Sequence, residues 1–355
     1  MAINKIDPGE LFWLGFQGNC PPDSLKPVLD QGNCGGIILF SRNIQNNQQV
    51  HELNRELVSL WKGKSTLPLG VDQEGGRVQR INNINWPSAR QLAQLSNPES
   101  ITAIGELISR ELMQLGFNVD FVPVLDILSN PKNKVIGDRA FGTTAQEVSA
   151  YASFFLDGFR KNPVATCSKH FPGHGNTLLD SHKALPRDPS SLQTISNNHL
   201  IPFDNLAQRN EMLMTAHVVF PELDAQHPAS LSNKVLDLIQ QIGFNGLVIS
   251  DDLEMGALHS YPENELAHLA LLAGNDMVMV CSKIELFQQM REFLIKKIEK
   301  NSDFKNQIHK KIEKVRKFKN SLVNNAQKQI YSKKSYILFK HDVISFLSEN
   351  NFSQR

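Results

Sequence analysis

Residues 168–185 read S-K-H-F-P-G-H-G-N-T-L-L-D-S-H-K-A-L and set Lys169, His170, His174, Asp180 and His182 within one short stretch. Asp180 and His182 lie two positions apart, and in an extended segment such residues point to the same side. A carboxylate placed there can fix the tautomer of the imidazole and raise its basicity. A histidine titrating near ~6.5 serves as both acid and base around neutrality. The plain alternative is a loop histidine that only hydrogen-bonds. A second acidic pair, Asp251-Asp252, follows the apolar run 246–250. Neighbouring strand residues point to opposite faces, so one aspartate can meet a ligand while the other holds backbone or substrate hydroxyls. An aspartate after a strand also often caps the next helix.

Other chemistries find less support. His170, His174 and His182 could ligate zinc, but Pro172, Gly173 and Gly175 argue against the helix that would bring the first two onto one face. The H-x-H that metal-dependent barrel hydrolases commonly show after an early strand does not occur. No G-x-S-x-G elbow and no glycine-rich phosphate loop is found. No metal and no cofactor is therefore expected.

Apolar runs at 9–16, 35–40, 68–72, 119–125, 164–167, 211–216, 246–250 and 277–280 predict strands. Helical spacing at 23–32, 48–62, 98–116, 143–161, 195–208, 235–242, 263–273 and 284–299 places helices between them. This alternation predicts an α/β protein with a parallel sheet, either open and doubly wound or closed as a (β/α)8 barrel of TIM type. Length and repeat number suit the barrel. So do the polar residues, because Asp72, Asp126, Lys169, His170, His217, Asp251 and Asp252 all follow a strand's C-terminal end. A barrel gathers such positions at one mouth, whereas an open sheet spreads them along an edge.

With 355 residues, 41% hydrophobic and 21% charged, the chain has the profile of a globular protein, and a net charge of +1 argues against nucleic acid as partner. The four cysteines are scattered and read as reduced. The N-terminus lacks a signal pattern and no apolar run nears the ~20 residues of a membrane span. A cytoplasmic monomer is the expectation. Residues 296–319 hold ten Lys or Arg against three acidic residues and read as a solvated helix face. The expected division is a barrel over 1–326 and a tail over 327–355, whose segment 336–347 has the spacing of a packing helix.

K-H-F-P-G-H-G-N-T-x-x-D-S-H over 169–182 resembles the signature loop of family 3 glycoside hydrolases of the β-N-acetylhexosaminidase type. V-D-Q-E-G-G-R-V-Q-R over 71–80, I-G-D-R-A-F around Arg139 and I-S-D-D-L-E-M around Asp251 are similar to that family's other motifs. The resemblance runs from about residue 9 to 281. It implies a retaining exo-β-N-acetylglucosaminidase acting on muropeptides of cell-wall recycling. Asp251 would be the nucleophile, and His182 the acid/base with Asp180 as its partner. Asp72, Arg80, Arg139, Lys169 and His170 would bind the terminal sugar. A related β-glycosidase, a glycoside phosphorylase, a metal-dependent barrel hydrolase and a non-catalytic sugar-binding barrel are the alternatives. Asn176 departs from the family, which usually has aspartate there.

Overall fold

The computed structural model describes residues 6–178, 181, 184–329 and 331–352. Eight parallel strands close a barrel: β1 (Phe12–Leu14), β2 (Gly36–Leu39), β3 (Leu69–Val71), β4 (Val119–Asp120), β5 (Ala165–Phe171), β6 (Met212–Thr215), β7 (Leu247–Asp252) and β8 (Met277–Val280). Each pairs with its neighbour in sequence, and β8 returns to pair with β1. The strands read as continuous apolar runs because one face meets the barrel interior and the other meets helices. Trp13 fills the interior, edge-on to Phe121 at 5.2 Å. A Cβ at Gly70 would lie 2.6 Å from the Trp13 ring, so β3 must be bare at that point for the indole to fit.

A helix follows each strand on the outside: α1 (Lys26–Asp30), α2 (Asn47–Leu60), α3 (Pro98–Gln114), α4 (Ala145–Phe159), α5 (Ile201–Leu206), α6 (Asn233–Gln241), α7 (Leu266–Ala273) and α8 (Ile284–Lys300). Side chains set their starts. Asn46 and Asn97 cap α2 and α3, and Thr144 with Glu147 forms a reciprocal capping box on α4.

The chain departs from its sequence-based reading in four places. The ladder of β4 stops after two residues, because Pro123 has no N–H to continue it. The helix expected over 195–208 begins as a π-turn at Ile195–His199, and α5 starts anew with Pro202 in its first turn. An unforeseen antiparallel hairpin, Val219–Phe220 with Asp224–Pro228, follows β6. The basic helix α9 (Ser302–Ser321) is not simply a solvated face. Its Lys311 donates to the Asn275 carbonyl at 2.7 Å, and Lys314 pairs with Asp276 at 2.6 Å. Lys319 is fully buried, donating to the Cys34 carbonyl at 2.8 Å. α9 thus closes the barrel end opposite the mouth, its ammonium groups meeting backbone carbonyls and the Asp276 carboxylate there. Last comes α10 (Lys333–Glu349), whose Tyr336, Phe339, Val343 and Leu347 are buried at helical spacing. Among the described residues no helix is long and apolar enough to cross a membrane.

Candidate active site

A cavity of about 710 Å³ opens at the C-terminal ends of the strands, and Asp72, Arg80, Arg139, Lys169, His170 and Asp251 all line it. Six of the eight residues singled out from sequence are therefore together. Asp180 and His182 lie outside the described residues. Ser181, between them, also lines the cavity.

The floor is a buried ion network. Lys169, on β5, is 2% exposed and reaches both Asp72 Oδ1 at 2.7 Å and Glu74 Oε1 at 2.6 Å. Arg80 donates to Asp72 Oδ2 at 3.1 Å. Arg139 grips Glu74 with two bonds of 2.8 Å. Burial opposes ionisation of Asp72, but the Lys169 and Arg80 charges outweigh it and hold the carboxyl well below its usual range. The same contest, with Arg139 and Lys169 as the winning charges, brings Glu74 down to about 2. The Lys169 ammonium is held above its usual range, burial notwithstanding, by Asp72 and Glu74. Asp72, Glu74, Lys169 and Arg139 stay charged across the physiological range.

Glu74 was missed in the sequence, though the signal was present. It stands two positions after Asp72 on an extended loop and so faces the same way. The loop itself is tightly held. Gln73 Oε1 accepts from the backbone of Arg80 and Ile81 at 2.8 and 3.1 Å. Gln73 N donates to Asp120, whose buried carboxyl is pushed well up. Gly75 has φ +89°, and a Cβ there would lie 2.2 Å from the Pro87 carbonyl, so the loop folds back on residues 86–88.

Asp126, at the end of the β4 segment, organises the two histidines. It is fully buried and lies 2.6 Å from His170 Nδ1, and it accepts from His174 N at 2.6 Å. His170 Nε2 is 3.3 Å from Arg139 Nη2. His174 bonds Thr177 at 2.8 Å and Ser181 at 3.3 Å, and burial brings its ring down to about 4, so it is neutral. The ring nitrogens that His170 and His174 would offer a zinc ion are thus engaged, one of them beside a guanidinium. His217 sits apart from the cavity, between Ser230 and the Asp252 carbonyl at 2.7 and 3.0 Å.

β7 carries both aspartates out of the barrel wall, each half-buried. Asp251 Oδ1 accepts from Asp252 N at 2.8 Å. Asp252 accepts from the Glu254 and Cys281 amides at 3.1 and 3.2 Å. Burial, then the Glu254 and Asp251 charges, push Asp252 up to about 7. Near neutrality it is partly protonated, which removes a like charge from beside Asp251.

Asn176 explains its own departure. Its Nδ2 donates to Asp188 Oδ1 at 2.9 Å and Ser190 Oγ at 3.1 Å, and Asp188 is fully buried. This bond clamps the two ends of the loop that holds Asp180 and His182. Asn176→Asp would set a half-buried carboxylate against the fully buried one of Asp188, a pair that holds only with a shared proton. The shared proton raises the pair's affinity for protons, so the clamp persists at low pH and fails as pH rises. A kcat/KM profile of Asn176→Asp is expected to fall by about tenfold relative to wild type between pH 5.5 and 8, the effect of losing one buried charge-assisted bond. Parallel profiles would show that the carboxamide is dispensable.

A family model described as the glycosyl hydrolase family 3 N-terminal domain matches residues 12–318. A beta-hexosaminidase of Pseudomonas aeruginosa is 37% identical over 263 residues, which cover 72% of this chain and 78% of that protein. The crystal structure of NagZ from Neisseria gonorrhoeae in complex with N-trifluoroacetyl-D-glucosamine has a TM-score of 0.77 and 29% identity, over 97% of this chain and 99% of that one. A fungal multi-domain GH3 beta-N-acetylglucosaminidase reaches a TM-score of 0.89 at 29% identity over 95% of this chain, which spans 42% of that longer one.

Proposed function

The chain belongs to glycosyl hydrolase family 3 and is a β-N-acetylhexosaminidase, and on that premise we propose a retaining exo-β-N-acetylglucosaminidase that removes terminal non-reducing β-1,4-linked N-acetylglucosamine from muropeptides of the N-acetylglucosaminyl-1,6-anhydro-N-acetylmuramyl type. It works as a cytoplasmic monomer, without metal or cofactor. The observation that carries the reading is one cavity bordered both by a charge-paired polar floor and by the separate carboxylate of Asp251. Asp72, Glu74, Arg80, Arg139, Lys169 and His170 bind the sugar. Their ion pairs fix their directions before substrate arrives, and each carboxylate oxygen keeps acceptor capacity for a hydroxyl.

The reaction then runs in two displacements. Asp251 attacks the anomeric carbon as the bond to the leaving oxygen breaks, and His182 gives that oxygen its proton. The products are a glycosyl ester on Asp251 and a neutral imidazole. Water next attacks the ester, His182 takes the water's proton, and Asp251 is released as carboxylate. Asp180 steadies the imidazolium.

The aglycone reading is supported by the rim. Lys132 and Lys134 are exposed on the loop after β4 and line the cavity, and neither ammonium has a polar contact among the described residues. Leu178, 66% exposed, also lines the cavity. Such a rim suits an acidic, partly apolar aglycone. The test compares a neutral aryl β-N-acetylglucosaminide with one whose aglycone bears a carboxylate. Lys132→Glu/Lys134→Glu is expected to lower kcat/KM about tenfold at low salt on the acidic substrate and by less than about twofold on the neutral one. Equal losses on both remove the acidic aglycone. N-acetylglucosamine 1-phosphate as product, formed only with phosphate present, would replace hydrolysis by phosphorolysis.

A further inference from the structure

Helix α10 lies outside the barrel and takes no part in the chemistry above. We infer that α10 is a positioning element for the sugar-binding loop after β3, acting through the buried carboxylate of Glu111. The inference rests on the assignment of Asp72, Glu74 and Arg80 to sugar binding.

The path is continuous and polar. Tyr336, on α10, donates its hydroxyl to Glu111 Oε1 on α3. Trp86 donates its indole N–H to Glu111 Oε2 at 2.8 Å. Glu111 is fully buried and Trp86 is 2% exposed. The Trp86 backbone then holds the loop on both sides of its turn. Its carbonyl accepts from Gly76 N at 2.8 Å, and its N–H donates to Gln79 Oε1 at 3.2 Å. Gly76 is two residues past Glu74, and Gln79 immediately precedes Arg80. The loop is therefore pinned inward by Gln73 and outward by Trp86.

Apolar contacts alone would dock a helix without fixing an indole elsewhere. Glu111 couples the two events, because a buried carboxylate is costly unless both donors are in place. Burial pushes it up to about 7, and the bonds from Tyr336 and Trp86 pull against that. The helices are also tied at two other points. Ser100 donates to Asn350 at 2.6 Å, and Arg110 lies over the Phe339 ring at 5.4 Å. A tie made of hydrogen bonds fixes register as well as contact.

The test measures sugar affinity and kinetics on the full chain. Tyr336→Phe keeps the ring and removes the donor, Glu111→Gln alters the acceptor, and Val343→Ala loosens α10 without touching the path. Tyr336→Phe and Glu111→Gln are expected to raise the Kd for N-acetylglucosamine, and the KM for a neutral aryl N-acetylglucosaminide, about three- to tenfold, with kcat changed by less than about twofold. Val343→Ala is expected to lower Tm alone. If the first two variants lower Tm but leave the sugar Kd at the wild-type value, α10 only stabilises and the inference is overturned. A fall in kcat at unchanged Kd overturns it too. Should the wild-type protein bind no N-acetylglucosamine and turn over no aryl N-acetylglucosaminide, the functional reading itself has failed, a result distinct from either.

Discussion

Asp251→Ala is expected to abolish turnover, and a 2-fluoro or 5-fluoro sugar to label the wild-type enzyme on the peptide containing Asp251. The label follows from the proposed two-step reaction. Electron withdrawal by fluorine slows both displacements, and a good leaving group rescues only the first, so the ester accumulates. Removing the proposed nucleophile leaves Asp252 as the neighbouring carboxylate. Asp252 accepts from the Glu254 and Cys281 amides and is partly protonated near neutrality, so it is a poor substitute. Loss of a covalent nucleophile costs on the order of 10⁴–10⁶ in kcat, against which any misfolding is checked by an unchanged melting curve. The proton donor is tested alongside. His182→Ala should lose more with a poor leaving group than with an activated aryl one, which needs little protonation. Mass spectrometry of the trapped peptide decides the matter, and a label elsewhere removes Asp251 from its role.

Lys169→Met is the second variant with a large expected effect, and it acts on stability as well as activity. One ammonium serves two buried carboxylates at 2.7 and 2.6 Å. Methionine keeps the volume and leaves Asp72 with Arg80 alone and Glu74 with Arg139 alone. Breaking one side of a buried ionic cluster costs about 3–5 kcal/mol. The loss depends on pH with a definite sign. Glu74 is held down to about 2 from an ordinary 4.5, so in wild type its contribution is full above pH 4.5 and fades as pH falls toward 2. Without the lysine the carboxyls bind protons more readily, and protonation relieves their repulsion. The stability gap is therefore full above pH 4.5 and narrows as pH falls from there toward 2, as urea titrations at pH 7 and pH 3 would show. A gap that widens on acidification would refute the account. Turnover should fall at least about 100-fold, because the sugar hydroxyls lose a fixed partner.

The barrel was legible because its strands are short apolar runs, each ending in a polar residue. That polarity at the strand ends also drew Asp72, Lys169, His170 and Asp251 to one mouth. Glu74 needed only the two-residue period of the loop it shares with Asp72. Asp126 was visible as a strand end, but its hold on His170 was not. The two lie 44 residues apart in sequence, and only the parallel pairing of β4 with β5 sets them side by side. The lysines of α9 misled for a similar reason. A basic helix reads as solvated until the carbonyls it meets, those of Gly274, Asn275 and Cys34, are known to be gathered beneath it. Helix α10 was readable as an apolar stripe. Its tyrosine gave no sign that a tryptophan in another loop would share its acceptor.

The bond from Asn176 to Asp188 has a consequence for how this loop can evolve. It requires one carboxyl acceptor and one donor at the clamp and leaves open which side carries which. An aspartate first with a donor second would serve as well as the donor first and aspartate second found here. Each single exchange passes through either two facing carboxylates or two groups without an ion. The two positions are therefore coupled, each neutral only in the presence of the other's change. A chain with the opposite arrangement would be separated from this one by a valley rather than a slope, although the clamp it built would be the same.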